Sequence, residues 1–207
     1  GVCIAAFGYF KYCSNKETNP YTGTVQSIDM TPQEEIQIGL AHAPTMAQQH
    51  GGLYPDQALQ AEIDRIGNKL VQRSIAADTP YQYDFHLLRD DQTINAFALP
   101  GGQIFMTYAL FSRLENEDQV AGVLGHEIGH VLGKHSNERI TNANFWKVLA
   151  MGASSIDMGG IAQQYGQGQL LKNGRGDELE SDELGVHFMI DAGYNPEEMI
   201  GVMKILK

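Results

Sequence analysis

Glu117-Asp118-Gln119-Val120-Ala121-Gly122-Val123-Leu124-Gly125-His126-Glu127-Ile128-Gly129-His130-Val131-Leu132-Gly133-Lys134 is the stretch from which the rest of the chain can be read. His126 and His130 are four residues apart, so on a helix their imidazoles share a face and can converge on one zinc ion, with Glu127 beside them as a base. At roughly 100° per residue, Val120, Leu124, Ile128, Val131 and Leu132 fall on one side and His126, Glu127 and His130 on another. A third stripe is made of Gly122, Gly125, Gly129 and Gly133. Each glycine costs a helix about 1 kcal/mol relative to alanine, so the stripe implies close approach of another backbone.

Upstream, Tyr83, Phe85 and Leu87 alternate with Gln82, Asp84 and His86, the period of a strand on which His86 reads as exposed. Ile94 to Met106 reads as two short strands around Pro100-Gly101-Gly102. Either Ala96 to Leu99 or Gln103 to Met106 is expected at a sheet edge, where unpaired backbone can hold an extended peptide. Thr31-Pro32-Gln33-Glu34 supplies a cap, a first-turn proline and an acid for a helix over 32–49. Leu59, Ile63, Ile66, Leu70 and Val71 recur at helical spacing within 56–77. Tyr108 to Leu114 reads as a short helix and about Glu117 to His135 as the metal helix. His135, nine positions past His126, would then lie on roughly the opposite face, either near the ligands from outside or in solvent. Helices are also expected over 144–158, where Phe145, Trp146, Val148 and Leu149 pack, and over 177–192 and 196–206. The glycine- and glutamine-rich stretch 159–176 reads as a mobile loop.

With 207 residues, 43% hydrophobic and 19% charged, the chain can bury a full core as one domain, expected over 31–207 after an N-terminal extension of 1–30. A formal charge of −11 without a lysine or arginine cluster argues against a nucleic-acid partner. No run of 18 apolar residues is present, so the chain as given is not expected to span a membrane. Cys3 and Cys13 form a disulfide or stay as free thiols. Gly1 to Phe10 is largely apolar, either the remainder of an export or anchor segment or a short buried strand. The first alternative suits an exported, periplasmic or envelope-associated protein and leaves room for membrane association through that segment.

Asn95-Ala96-Phe97-Ala98-Leu99-Pro100-Gly101-Gly102, His126-Glu127-Ile128-Gly129-His130 and Arg175-Gly176-Asp177-Glu178-Leu179-Glu180-Ser181-Asp182 together resemble, in order and spacing, the HtpX-like and CAAX prenyl endopeptidase family of zinc metallopeptidases. Asn19-Pro20-Tyr21-Thr22-Gly23 and Gly193-Tyr194-Asn195-Pro196 make the periplasmic single-domain branch the most similar and extend the likeness from about Asn19 to the C-terminus. The resemblance implies an α+β, mainly helical, gluzincin-like domain. Its small antiparallel or mixed sheet would border the active-site cleft with an edge strand carrying Asn95, Ala96, Phe97 and Ala98. It implies one Zn2+ per chain held by His126, His130 and Glu178, with Glu127 as catalytic base. The activity it implies is hydrolysis of peptide bonds in unfolded or misfolded cell-envelope proteins.

On a helix Glu178 and Asp182 share a face and Glu180 points elsewhere. The family pattern makes Glu178 the ligand and Asp182 the acid that orients a ligating histidine. Glu180 and Glu183 then read as solvated, and His187 as surface or core. Ser181 stands where the family usually has alanine, a small-for-small exchange. Arg175, His135 and Tyr165 are equal candidates for stabilising an oxyanion. The competing reading is a zinc-stabilised, non-catalytic peptide-binding module on the same fold.

Overall fold

A computed structural model describes residues 16–151 and 174–206, with side chains over 16–143 and 174–206. The two cysteines, the apolar start, Phe145, Trp146, Val148, Leu149, Tyr165 and most of the glycine-rich stretch lie outside the residues so described. The described chain opens on a hairpin of β1 (Lys16–Thr18) and β2 (Val25–Ser27). Helix α1 (Pro32–Gln49) starts at a capping box in which Thr31 Oγ1 accepts from Glu34 N and the Glu34 carboxylate accepts from Thr31 N. Helix α2 (Gln57–Arg73) is capped by Asp56, and the remainder of the expected segment is a 3-10 turn, Ile75–Asp78.

Strands β3 (Asp84–Leu88), β4 (Ala96–Ala98) and β5 (Gln103–Thr107) form a sheet in the order β3-β5-β4, with β5 parallel to β3 and antiparallel to β4. Of the two strands considered for the edge, β5 is central: it is paired on both sides and every residue in it is buried. β4 is the edge. The turn between them packs under α1, where a Cβ at Gly101, at φ +81°, would overlap the backbone of Ile36. His86 is not the exposed residue its alternation suggests. It is partly buried, with Nε2 2.9 Å from Gln103 Oε1 and its ring stacked on Phe105.

After α3 (Tyr108–Phe111) come α4 (Glu117–Leu132), α5 (His135–Met151), α6 (Arg175–Asp191) and α7 (Met199–Ile205). Arg175 and Gly176, expected in the loop, form the first turn of α6. Helix α4 is the centre of the molecule. From Gln119 to Leu132 only His126 escapes full burial, so the helix is enclosed on every side. Its apolar face joins Ile63, Ile66 and Leu70 of α2 and Ile104 and Met106 of β5 in the main core.

The glycine stripe faces α6, which runs antiparallel to α4. A Cβ at Gly125 would stand 3.2 Å from the carbonyl oxygen of Gly185, and one at Gly129 would stand 3.0 Å from Ser181 Cα. Backbone meets backbone at those two positions. Gly122 instead faces the side chains of Val202, Met199 and Met189, and Gly133 makes room for the His135 ring.

The helix ends at Leu132, short of the expected His135, because Lys134 takes a left-handed conformation with φ 53°. That conformation costs a non-glycine residue about 1–2 kcal/mol. The N-terminal hairpin offsets the cost: Asn19 Nδ2 donates to Leu132 O at 2.8 Å, Gln26 Nε2 donates to Gly133 O at 2.6 Å, and Lys134 Nζ meets Glu17 at 2.9 Å. Carbonyls left over at the helix end are thereby satisfied by side chains more than a hundred residues upstream. The chain turns, and α5 begins at His135 in a new direction.

Two predictions follow from the packing. Gly129→Ala should destabilise the fold by about 1–3 kcal/mol through overpacking and, by pushing α6 from α4, weaken metal binding; thermal unfolding and zinc titration of the variant check both. The second concerns Glu35, a buried residue of α1 that accepts from the Tyr81 hydroxyl at 2.9 Å and whose carboxyl burial pushes up to about 7. Such a carboxyl holds its proton more tightly folded than unfolded, so its stabilising contribution is complete below about 4.5 and is lost as pH rises through 7. Glu35→Gln should flatten that slope by on the order of 3 kcal/mol, measured by urea unfolding across the same pH range.

Candidate metal centre

One turn of α4 sets His126 Nε2 and His130 Nε2 3.0 Å apart. The antiparallel crossing of α6 brings Glu178 over them, its carboxylate oxygens 3.4 Å from His126 Nε2 and 3.5 Å from His130 Nε2. One donor atom from each of the three residues falls within 4.8 Å of the others. Two donors placed about 2.0–2.1 Å from a zinc ion at the tetrahedral angle are about 3.3 Å apart. The nitrogen–nitrogen separation and the two nitrogen–carboxylate separations, to Oε2 for His126 and to Oε1 for His130, are near that value, and two imidazole nitrogens with one carboxylate form a donor set that zinc accepts.

Asp182, one turn beyond Glu178, places Oδ1 2.8 Å from His126 Nδ1. A carboxylate only accepts, so His126 Nδ1–H donates and the ring is held with Nε2 towards Glu178 and His130. Burial disfavours charge on either imidazole. At His126 the Asp182 and Glu178 carboxylates outweigh it and push the ring up to about 10, whereas at His130 burial and then the neighbouring His126 pull it well down. Glu127 is buried, and burial pushes its carboxyl up to about 7.

These residues line a cavity of about 690 Å³. One wall is β4 with Asn95, Ala96, Phe97 and Ala98, and another is apolar, formed by Val123, Met199 and Val202. Among the described residues no further strand pairs with β4 on its outer side.

Several sequence expectations need correction at this site. Of the two readings of His135, the place just outside the candidate ligands agrees with the structure, while the far face and the solvated alternative do not: its side chain is 2% exposed, with Nδ1 2.8 Å from His130 Nδ1. The wheel assumed a continuous helix, and the turn at Lys134 breaks it. Glu180 is likewise not a solvated face residue, since its Oε2 lies 2.7 Å from His135 Nε2 and its Oε1 accepts from Thr24 Oγ1. Ser181 is more than a small filler: its buried hydroxyl lies 2.9 Å from His130 Nδ1. Glu183 and His187 are exposed.

Of the groups considered for an oxyanion, Arg175 is exposed and does not line the cavity, and His135 is enclosed behind His130. Sequence reasoning missed Arg139, which lines the cavity and whose guanidinium donates from Nη2 to Ser136 Oγ at 2.9 Å, with Nη1 3.7 Å from Asp177. Its position on the first turns of α5 becomes meaningful only once the chain reverses at Lys134.

Comparison with known proteins gives a consistent picture. The profile of Peptidase family M48 matches residues 57–206. The chain is similar to the β-barrel assembly-enhancing protease of Yersinia pestis, 29% identical over 193 residues that make up 87% of this chain and 39% of that protein. It is 28% identical to the protein of the same name from Escherichia coli (strain K12) over 201 residues, 91% of this chain and 40% of the relative. The mitochondrial metalloendopeptidase OMA1 of Schizosaccharomyces pombe is 31% identical over 137 residues, 65% of this chain and 40% of the relative. The matched part thus spans about two fifths of the length of these relatives.

Asp182→Asn replaces an obligate acceptor by a group that can also donate, so it should weaken zinc binding by about 10- to 100-fold with little change in unfolding temperature. Competition against a chromophoric chelator measures the first and calorimetry the second.

Proposed function

The chain belongs to peptidase family M48, and on that premise we propose that it is a zinc-dependent metalloendopeptidase of the periplasmic branch, its catalytic domain spanning about 31–207. The observation that carries this reading is the convergence of His126, His130 and Glu178 at the floor of a cavity whose wall holds the buried Glu127. His126, His130 and Glu178 would hold one Zn2+, which when bound supplies Lewis acidity for polarising a peptide carbonyl and acidifying water. Glu127 takes a proton from the attacking water and gives it to the leaving amine. Arg139 offers a fixed positive charge on the cavity wall for charge developing on the carbonyl oxygen.

An extended peptide would pair with β4 along Asn95 to Ala98, with a side chain against the apolar wall of Val123, Met199 and Val202. Backbone pairing reads conformation more than side chains, which suits unfolded or misfolded polypeptides as substrates. Relatives named for enhancing β-barrel assembly support a cell-envelope setting and envelope proteins as those substrates. Among the described residues no helix is long and apolar enough to cross a membrane. A non-catalytic peptide-binding module would have no use for a buried carboxylate beside the two histidines.

Glu127→Gln keeps the size of the side chain and removes the base. The variant should retain one zinc per chain by elemental analysis and lose peptide hydrolysis by several orders of magnitude, and a chelator should abolish casein digestion by the native chain. Full turnover by the zinc-loaded variant would sink the mechanism.

A further inference from the structure

Asp182 accounts for the orientation of His126, but the family pattern offers no partner for the far side of His130. In the structure that side is closed. His130 Nδ1 lies 2.8 Å from His135 Nδ1, and His135 Nε2 lies 2.7 Å from Glu180 Oε2. Glu180 Oε1 in turn accepts from Thr24 Oγ1 of the N-terminal hairpin. Proton placement along this chain is constrained at one end. A carboxylate only accepts, so His135 Nε2–H donates to Glu180; the other nitrogen of a neutral ring is then an acceptor, and what it accepts is His130 Nδ1–H. His130 Nε2 is then the nitrogen without a proton, and it is the one that faces His126 Nε2 and Glu178. Ser181 Oγ, 2.9 Å from His130 Nδ1, can accept the same proton.

Two costly features of the backbone just past the end of α4 accommodate this arrangement. Gly133 sits at the end of the helix where any Cβ would overlap the His135 ring, and Lys134 is held left-handed, which folds His135 back under His130. We propose that His135, oriented by Glu180, is a positioning residue that holds His130 as the Nδ1–H tautomer and so turns its Nε2 to the metal. The inference rests on the reading of His126, His130 and Glu178 as ligands. It makes the pair the counterpart, on the second histidine, of Asp182 on the first, and it ties the ligand to the hairpin through Thr24.

The test uses the full chain labelled with 15N and treated with chelator, in which long-range proton–nitrogen correlations report which ring nitrogen of His130 carries the proton. Zinc affinity is measured in parallel by chelator competition. Wild type should show His130 protonated on Nδ1. Glu180→Gln offers His135 Nε2 an amide donor, which frees His135 to carry its proton on Nδ1; His130 should then switch to Nε2–H and zinc affinity fall by about 10- to 100-fold. Glu180→Asp keeps an obligate acceptor and should restore the tautomer and most of the affinity, a rescue that a purely structural role for Glu180 does not predict. The proposal is overturned if wild-type His130 carries its proton on Nε2, or if folded Glu180→Gln keeps the Nδ1 tautomer and wild-type affinity. Should the variants fail to fold, the wild-type tautomer decides alone. A wild type that binds no zinc overturns the ligand reading, whereas a wrong tautomer in a zinc-binding wild type overturns only the positioning pair.

Discussion

The close antiparallel crossing of α4 and α6 is the contact on which the site depends. Gly125 and Gly129 on one helix and Gly185 and Ser181 on the other let the two backbones approach until ordinary side chains would collide. At that separation the Glu178 carboxylate on α6 lies 3.4 Å from His126 Nε2 and 3.5 Å from His130 Nε2 on α4. The helix propensity lost to the glycines, about 1 kcal/mol at each, therefore accompanies the close crossing that brings the three candidate ligands together.

A second constraint acts at the end of α4. Carbonyls at a helix C-terminus need partners, and the hairpin supplies amide side chains where most helices use glycine or water. Asn19 also organises its own turn, since its side-chain oxygen accepts from Tyr21 N and Thr22 N while its Nδ2 reaches Leu132 O. The motif at 19–23 is thus a tertiary cap whose turn geometry and long-range bond are satisfied by one residue.

The two constraints meet at His130. Three imidazoles are gathered with the carboxylates of Asp182, Glu178 and Glu180, beside the buried Glu127, and burying such groups is unfavourable unless they have partners of the right kind. The arrangement meets that condition with alternating rings and carboxylates: Asp182 with His126, Glu178 with both candidate ligands, Glu180 with His135. Acids and rings come from α6 and from the α4–α5 corner respectively, so the balance exists only in the folded chain.

Local periodicity made much of this readable from the sequence. The helical spacing of Ile63, Ile66 and Leu70, the capping box at Thr31, the strand alternation around Phe85 and the four-residue spacing of His126 and His130 are properties of adjacent turns, and they reappear as α1, α2, β3 and α4. The glycine stripe signalled a close neighbour, and the helix register set Glu178 and Asp182 on one face. What the sequence could not carry was anything dependent on contacts between distant segments. β4 rather than β5 became the edge because β3 pairs in parallel across β5, a choice made by the crossover through the sheet. Arg139 and His135, and with His135 the partner that Glu180 meets, took their places because a lysine, which has no intrinsic preference for a left-handed turn, is held in one by Asn19, Gln26 and Glu17 from the far end of the chain. A helical wheel assumes that the helix continues; the energy that ends this one is tertiary.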